Sequence, residues 1–332
     1  MAGNFVQLHN HTHYSLLDGA SKVPDLVKRV KELGMPAVGI TDHGNMHGAY
    51  ELWRAAVDSG VKPIIGIEAY VTPETARQDK TRVSWDTNWT PVPGHARNPD
   101  DVSGGGLITH LTMWAENDEG LVNLIKASSV ANLEGRVMRY PRMDKEVLST
   151  YSKGVIASSG CPSGIIQTRL RLGQFDEALR AAGEFQDIFG KDNFYIELMD
   201  HGLSIESKVT GDVLTIAKKL GAPLLATNDS HYVMEADKDA QDAMLCINSG
   251  ATLDDPNRFK FEGSGYYIKS AEEMRELFKD HPDACDNTLE IAERCNVIFD
   301  DHEDGAFMPQ FDCPEGWDET SLFLKKVEEG LE

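Results

Sequence analysis

Clustered basic residues are scarce in this sequence of 332 residues, in which 32 Lys and Arg stand against 54 Asp and Glu. The formal net charge of -22 excludes a protein that binds nucleic acid through an exposed basic surface, because phosphate contacts require clustered Lys and Arg. A nucleic-acid substrate that is held through metal ions is compatible with this charge.

Long apolar runs and paired cysteines are also lacking. No run reaches the roughly 18 to 20 apolar residues of a membrane span. The start MAGNFVQLHNHTHYS has no basic and then apolar segment of a signal peptide, so we expect a cytoplasmic protein without membrane contact. Five cysteines form an odd set with no CxxC pair, which predicts reduced thiols and no disulfide framework or zinc ribbon.

Short β-rich apolar runs alternate with helical patterns, and the hydrophobic content of 41% is sufficient for a large buried core. The candidate strands are residues 5–8, 37–41, 63–71, 107–115, 154–159, 194–199 and 223–227. Strands that alternate with helices predict parallel pairing and right-handed crossovers. Because no Gly-rich phosphate turn follows the first strand, a closed or distorted α/β barrel is favoured over a doubly wound sheet.

The remaining segments predict a lid and a helical end. Residues 73–106 are long, polar and weakly periodic, which is typical of a mobile loop at a barrel mouth. The pattern after residue 232 is mainly helical, and the last residues have no helix stop signal. We therefore expect a barrel domain over 1–285, a helical connector over 286–332, and a longer parent chain.

Side chains that can bind metals stand at one end of every candidate strand. In chain order they are His9, His11 and Asp18, Asp42 and His43, Glu68, His110, Cys161, Asp200 and His201, and Asp229 and His231. Residues two apart on a strand point the same way, so the pairs His9/His11 and Asp229/His231 can each hold one ion.

Each of these motifs alone has an ordinary structural explanation, such as a helix-capping Asp in TDHG or a buried thiol at Cys161. Their joint placement at the end where α/β barrels hold active sites is what predicts function. Nine plausible ligands suit three divalent ions, and clustered ions suit phosphate ester hydrolysis. Zinc is the expected metal, with manganese and iron as alternatives for the same donor set.

The motifs LHNHTHYSLLDG, ITDHGNMHGAYE, GIEAYV, THLTMWAEN, SSGCPSG and TNDSHY occur in this order. Together they resemble the PHP (polymerase and histidinol phosphatase) family, and within it the branch at the N-terminus of bacterial replicative DNA polymerases. The resemblance implies a distorted seven-stranded (β/α)7 TIM-like barrel, followed here by a C-terminal helical segment. It also implies a site for three metal ions with nine ligand positions. This chain matches all nine.

By this resemblance, the first ion would be held by His9, His11, Glu68 and Asp229, the second by Glu68, His110 and Cys161, and the third by Asp18, His43 and His231. Asp229, His11 and Glu68 would be the catalytic residues. Relative to the family pattern, His13, His47 and Pro162 are unusual, but none of them removes a ligand.

The family branch further implies a 3′–5′ proofreading exonuclease that acts on DNA 3′ ends. DNA polymerisation would reside in a polymerase core of the same parent chain, through which a sliding clamp and other replisome subunits would be partners. Two alternatives stay open: a metal-stabilised structural module without nuclease activity, and a stand-alone phosphatase for a small monoester.

Candidate substrate contacts come from the segment GRVMRYPRMD, the densest basic cluster with an interleaved aromatic residue. We predict that Tyr140 and Arg142 approach the substrate strand, although a solvated loop explains the pattern equally well. His201, which follows the sixth candidate strand, is a further candidate for the substrate or acid–base role.

Overall fold

The computed structural model describes residues 5–86, 90, 98, 100, 105–300 and 311–331. It divides into two compact units, Met1–Val297 and Ile298–Glu332. The strands of the first unit are β1 (Ala37–Ile40), β2 (Lys62–Val71), β3 (Thr109–Ala115), β4 (Arg142–Met143), β5 (Val155–Ser158), β6 (Phe194–Leu198) and β7 (Leu224–Ala226).

The helices alternate with these strands and dominate the chain after β7. They are α1 (Val23–Glu32), α2 (Ala49–Ser59), α3 (Asp118–Leu133), α4 (Lys145–Thr150), α5 (Ile165–Arg171), α6 (Phe175–Phe189), α7 (Ser204–Ser207), α8 (Thr210–Leu220), α9 (Lys238–Ser249), α10 (Ala271–Leu277), α11 (Pro282–Arg294) and, in the second unit, α12 (Glu319–Leu331). In the part of the chain that is described, no helix is both long and apolar enough to cross a bilayer.

The sheet is a ring that the N-terminal segment closes. Its order is β1-β2-β3-β5-β6-β7, with β4 beside β2. Residues 5–12 bridge the two ends of this order, since Gln7 pairs with Val38 and Asn10 pairs with Ser230. The distorted seven-stranded barrel is thus confirmed, and the first predicted strand is an irregular segment held by isolated bridges.

Strand β3 differs from the prediction that the barrel strands pair in parallel. It is antiparallel to both β2 and β5, and His110 lies opposite Tyr70 of β2. The described part of residues 72–108 contains no helix that would carry the chain to the opposite end of the barrel. β3 therefore begins where β2 ends, and His110 reaches the same end as residues that follow the other strands.

Helix α11 packs against the core at the end of the barrel away from His110. Ile291 and Ala292 join a buried cluster that includes Leu8 and Trp114, whose indole Nε1 donates to the Leu8 carbonyl oxygen at 3.1 Å. Burial of this apolar surface ties α11 to the barrel. The first compact unit, which runs to Val297, includes this helix.

Close approach of the closing segment to β1 requires a glycine at position 39. A Cβ atom at Gly39 would lie 2.4 Å from the carbonyl oxygen of Leu8, which no side chain can accommodate without a backbone shift. We expect Gly39→Ala to lower the free energy of unfolding by about 1–3 kcal/mol, measured by urea denaturation. Gly183→Ala in α6 is the control: its Cβ would meet no atom nearer than 3.9 Å, and helix propensity predicts a small gain. Equal effects of the two changes would contradict the steric argument.

Candidate metal centre

The structure brings all nine expected ligands together at one end of the barrel. They are His9, His11 and Asp18 from the N-terminal segment and the turn after it, His43 after β1, Glu68 in β2, His110 in β3, Cys161 after β5, and Asp229 and His231 after β7. The side chains of His9, His11 and Glu68 are fully buried. Antiparallel β3 explains why a residue near the beginning of a strand joins residues that follow other strands.

His9, His11 and Asp229 form the first group of donor atoms. Asp229 Oδ1 lies 3.3 Å from His9 Nε2 and 3.1 Å from His11 Nε2, and the two Nε2 atoms are 3.3 Å apart. Two ligand atoms that are 2.0–2.1 Å from one tetrahedral ion lie roughly 3.3 Å apart. The spacing of these donor atoms therefore fits a single divalent ion.

Glu68 lies between the first group and the other donors. Its Oε1 is 3.5 Å from His9 Nε2 and 3.2 Å from His110 Nδ1, which in turn is 3.4 Å from Cys161 Sγ. Its Oε2 is 3.4 Å from His11 Nε2 and 2.6 Å from His43 Nδ1. A carboxylate with both oxygens in such contacts is suited to bridging two ions.

The remaining donors surround Asp18. Its Oδ2 lies 2.8 Å from His43 Nε2 and 3.8 Å from His231 Nε2. The rings of His11, His43 and His231 also cluster. The centroid of the His11 ring lies 4.1 Å from that of His43 and 4.3 Å from that of His231. A third group of metal-capable side chains is thus present.

Several of these buried donor atoms lack hydrogen-bond partners. Among the described residues, both oxygens of Glu68, Oδ1 of Asp18 and Oδ1 of Asp229 accept no well-aligned hydrogen bond, and His43 Nδ1 and His231 Nε2 make none, although imidazole and carboxylate groups lie close together. Unpaired buried carboxylates are costly unless a cation compensates them. The donor set of imidazole, carboxylate and thiol therefore fits divalent metal ions.

Protonation favours ligation at His11 and Asp229. Burial, together with the rings of His43 and His231, lowers the pKa of His11 to about 3, so its imidazole is neutral. Burial alone would raise the pKa of Asp229, but His9 and His231 outweigh it and hold this pKa well below its usual range. Both side chains are thus in the form that binds metals.

Three imidazoles are oriented by hydrogen bonds from their Nδ1 atoms. His9 Nδ1 donates to Glu197 Oε1 at 2.7 Å, His11 Nδ1 pairs with Ser15 Oγ at 2.9 Å, and His231 Nδ1 donates to the carbonyl oxygen of Asp229 at 2.8 Å. Such contacts fix the tautomer and leave each Nε2 lone pair free for an ion.

Sequence reasoning missed Glu197, and it placed Asp42 among the metal-capable side chains without assigning it to an ion. Glu197 is 3% exposed in β6 and accepts hydrogen bonds from Ser158 Oγ and Thr227 Oγ1 as well as from His9. Asp42 accepts from Ser15 Oγ at 2.6 Å and thereby orients the hydroxyl that meets His11. The only sequence signal for Glu197 is a lone acid inside the apolar run FYIELM.

Two predicted substrate residues occupy other positions. Arg142 is fully buried, and its guanidinium donates to the carbonyl oxygens of Gly135, Leu107, Arg77 and Asp79. This corrects the prediction that Arg142 approaches a substrate, because its donors are occupied by the backbone. The ring of His201 is similarly engaged, with Nδ1 2.6 Å from Glu206 Oε1 and Nε2 2.9 Å from the Asn228 carbonyl oxygen.

Tyr140 lies nearer the cluster than Arg142. Its partly exposed ring meets Tyr70 edge-on at 5.0 Å, and Tyr70 stacks at 5.8 Å on His43. Exposed Arg139 carries its guanidinium 5.2 Å from the Tyr140 centroid. The arginine beside the aromatic side chain at this edge is therefore Arg139.

The carboxylate of Glu197 should control metal affinity through His9. We expect Glu197→Gln to weaken divalent-ion binding about 10- to 100-fold, because a histidine ligand loses the charged partner that orients it. Competition with a chromophoric chelator measures this affinity. The matched control is Glu206→Gln, which alters a buried carboxylate–histidine pair outside the candidate ligand set, that with His201. Equal losses of affinity in both variants would contradict the positioning role.

Comparison with known proteins agrees with this geometry. The family model described as PHP domain matches residues 7–201. Over 329 residues the chain is 51% identical to DNA polymerase III subunit alpha of Mycobacterium leprae, covering 99% of this chain and 27% of that protein. The corresponding subunit of Borreliella burgdorferi is 39% identical over 331 residues, with 98% and 27% covered. The chain thus spans about a quarter of the length of these relatives.

Similar solved structures are more distant. An amidohydrolase from Chromobacterium violaceum with bound SO4 has a TM-score of 0.41 and 14% identity, and covers 68% of this chain and 87% of its own. A two-domain protein from Bacteroides vulgatus, described as containing a predicted PHP-like metal-dependent phosphoesterase, has a TM-score of 0.38 and 11% identity, with 88% and 69% covered. Because the family model spans more than half of the sequence, this chain belongs to the PHP domain family.

Proposed function

We propose that this chain is the metal-dependent phosphodiesterase part of a bacterial DNA polymerase III alpha subunit, and that it removes nucleotides from DNA 3′ ends as a 3′–5′ proofreading exonuclease. The observation that carries the proposal is the convergence of Glu68 and eight further metal-capable side chains at one end of the barrel. The high identity to polymerase subunits supports the assignment to replication.

Three divalent ions, zinc in the first instance and manganese or iron as alternatives, would occupy this centre. His9, His11, Glu68 and Asp229 would hold one ion, Glu68, His110 and Cys161 a second, and Asp18, His43 and His231 a third. Divalent ions supply a bound water of lowered pKa and positive charge for phosphate oxygens.

The chain's own residues prepare this chemistry. Glu68 supplies negative charge to two sides of the centre, and burial of His9 and His11 excludes competing water from them. The contact of Ser15 with His11 keeps the Nε2 atom directed at Asp229. Asp229, His11 and Glu68 are accordingly the residues on which hydrolysis should depend most.

A structural role for the metals is the second candidate, and the closing seam of the barrel favours it. Two backbone hydrogen bonds join Ser230 to the N-terminal segment. The His11 N–H donates to the Ser230 carbonyl oxygen at 2.8 Å, and the Ser230 N–H donates to the His9 carbonyl oxygen at 3.1 Å. Candidate ligands flank this seam on both of its segments. An ion held by His9, His11 and Asp229 would therefore join the two segments whether or not hydrolysis occurs.

The longer parent protein would supply the remaining functions. We propose that polymerisation resides in a core outside this chain, and that residues 286–332 lead toward it from a hydrolase domain over 1–285. The sliding clamp and other replisome subunits would be reached through that parent, in the cytoplasm.

Hydrolysis should depend on the Asp229 carboxylate. The φ angle of Asp229 is +45°, a conformation that Asn tolerates well, so Asp229→Asn removes the charge without straining the backbone. We expect this variant, or a chelator, to reduce mononucleotide release from a 3′-labelled, mismatched primer–template to background. The matched control is Asp212→Asn, an exposed carboxamide substitution in α8, which should retain the wild-type rate.

A second readout separates the two candidate functions. Chelation should lower the Tm in either case, because ions across the seam stabilise the folded chain. Release of nucleotides by the metal-loaded wild type, lost in Asp229→Asn, identifies an enzyme. If the chain binds its metals, has a lower Tm after chelation and releases no nucleotide, the result supports the structural role.

Tyr140, together with Arg139 in place of Arg142, should approach the DNA strand. We expect Arg139→Ala to weaken cleavage of single-stranded DNA at low salt. The slope of log KM against log salt concentration should fall by about one, because one phosphate contact is lost. Arg142→Ala should instead lower the free energy of unfolding, because four backbone carbonyl oxygens lose their donor. An unchanged salt slope in Arg139→Ala would contradict the contact.

A further inference from the structure

A large cleft opens beside the candidate metal centre. Candidate metal ligands line only its inner end. It has a volume of about 1100 Å³, and its inner wall includes Cys161 and Asp229. Its outer wall includes Phe259, Phe261 and Tyr266, and we call this space the aromatic cleft. The volume lies at the upper limit of small-molecule sites, so the cleft can admit part of a polymer.

The aromatic rings form a continuous series that leads away from the metal centre. Phe261 meets His231 edge-on at 4.6 Å, and Tyr266 lies 4.7 Å from Phe261. Phe259 follows at 5.8 Å from Phe261 and is 62% exposed. The outermost ring thus stands two ring contacts from a candidate ligand and presents apolar surface to solvent.

Both ends of the loop that carries these rings are anchored. At one end, Arg258 makes a two-pronged ion pair with Asp242 of α9. At the other end, Asn228 Nδ2 donates to the carbonyl oxygens of Gly265 and Tyr267 at 2.9 and 2.8 Å. Asn228 immediately precedes Asp229, so the same backbone fixes the rings and a candidate ligand. A loop whose ends are held in this way loses little backbone freedom when a ligand binds.

The charges in the aromatic cleft favour an uncharged aromatic group there. The acids Asp100, Glu206, Asp229 and Glu262 line it together with Lys208 and Lys260, and two of the acids are paired, Glu206 with His201 and Asp100 with Lys208. Because the acids outnumber the lysines, a phosphate is less favoured in the cleft than at the metal centre. A nucleotide whose phosphate lies at the metal centre would place only its base in the aromatic cleft, where rings can stack on it.

We propose that the base of the 3′-terminal nucleotide of single-stranded DNA enters the aromatic cleft and stacks on Phe259. The inference rests on the proposed hydrolysis of DNA 3′ ends, because that function places the last phosphate at the metal centre. A stacked terminal base positions the scissile bond and selects frayed ends, since a paired base is not free to enter. Stacking also tolerates every base, as removal of any mismatched nucleotide requires.

A double-mutant cycle between protein and DNA tests the stacking directly. The Mn²⁺-loaded chain and its Phe259→Ala variant are titrated, by fluorescence anisotropy, with a labelled oligothymidylate whose last linkage is a non-hydrolysable phosphorothioate analogue. The same titrations use an oligonucleotide with an abasic 3′-terminal residue. We expect either change alone to weaken binding about 5- to 150-fold, and the two together to weaken it no further.

Two variants control for folding and for surface effects. Phe259→Tyr should restore binding because it keeps the ring, and Leu253→Ala, another exposed apolar truncation in the connection between α9 and α10, should bind like wild type. Additive effects of Phe259→Ala and the abasic end, or equal affinity of all proteins, would overturn the inference.

Hydrolysis of an ordinary oligonucleotide, measured in parallel, separates the two proposals. Coupling with hydrolysis supports both. Coupling without hydrolysis supports the base site and contradicts the proposed exonuclease. Hydrolysis without coupling overturns the base site alone, and absence of both binding and hydrolysis overturns the two together.

Discussion

Closure of the barrel by the N-terminal segment is the constraint on which the site depends. Residues 5–12 lie between β1 and the segment after β7, where Asn10 pairs with Ser230. This pairing sets His9 and His11 beside Asp229, so the contacts that close the sheet also assemble the first group of donors. Gly39 permits the close approach on the other side. The folded barrel therefore brings together the side chains of the candidate metal centre, and loss of the seam would separate His11 from Asp229, which lies more than two hundred residues away in sequence.

The reversal of β3 is the second requirement. In a barrel of uniformly parallel strands, a histidine near the beginning of a strand would lie at the end opposite the active site. Antiparallel pairing of β3 with β2 instead places His110 opposite Tyr70 and within 3.2 Å of Glu68 Oε1. Glu68 thereby meets donors from β3 on one side and from the N-terminal segment on the other. A single buried carboxylate links the groups of the cluster because one strand runs against its neighbours.

The sequence was sufficient to predict the strands and the convergence of metal-capable side chains at one end of the barrel, since both leave local signals. Apolar runs marked all seven barrel segments, and His, Asp, Glu and Cys at their ends marked the cluster. The direction of β3 left no local signal, because it depends on the end of the barrel at which the chain re-enters the sheet after β2. Glu197 was missed because its partner His9 is distant in sequence and its run looks like any buried strand. Arg142 was misread because composition does not distinguish an exposed guanidinium from one that binds four backbone carbonyls.

An acidic chain can act on a polyanion only if its negative charge is compensated where the substrate binds. Among the described residues, both oxygens of Glu68 and one oxygen each of Asp18 and Asp229 accept no well-aligned hydrogen bond, an arrangement that divalent cations would stabilise. Bound ions would concentrate positive charge at the centre, whereas acids outnumber lysines in the aromatic cleft beside it. This contrast in charge would direct the phosphate to the metal centre and the base to the aromatic cleft. The separation would allow recognition of a strand end without the basic surface that binds duplex DNA indiscriminately, as the proposed exonuclease requires.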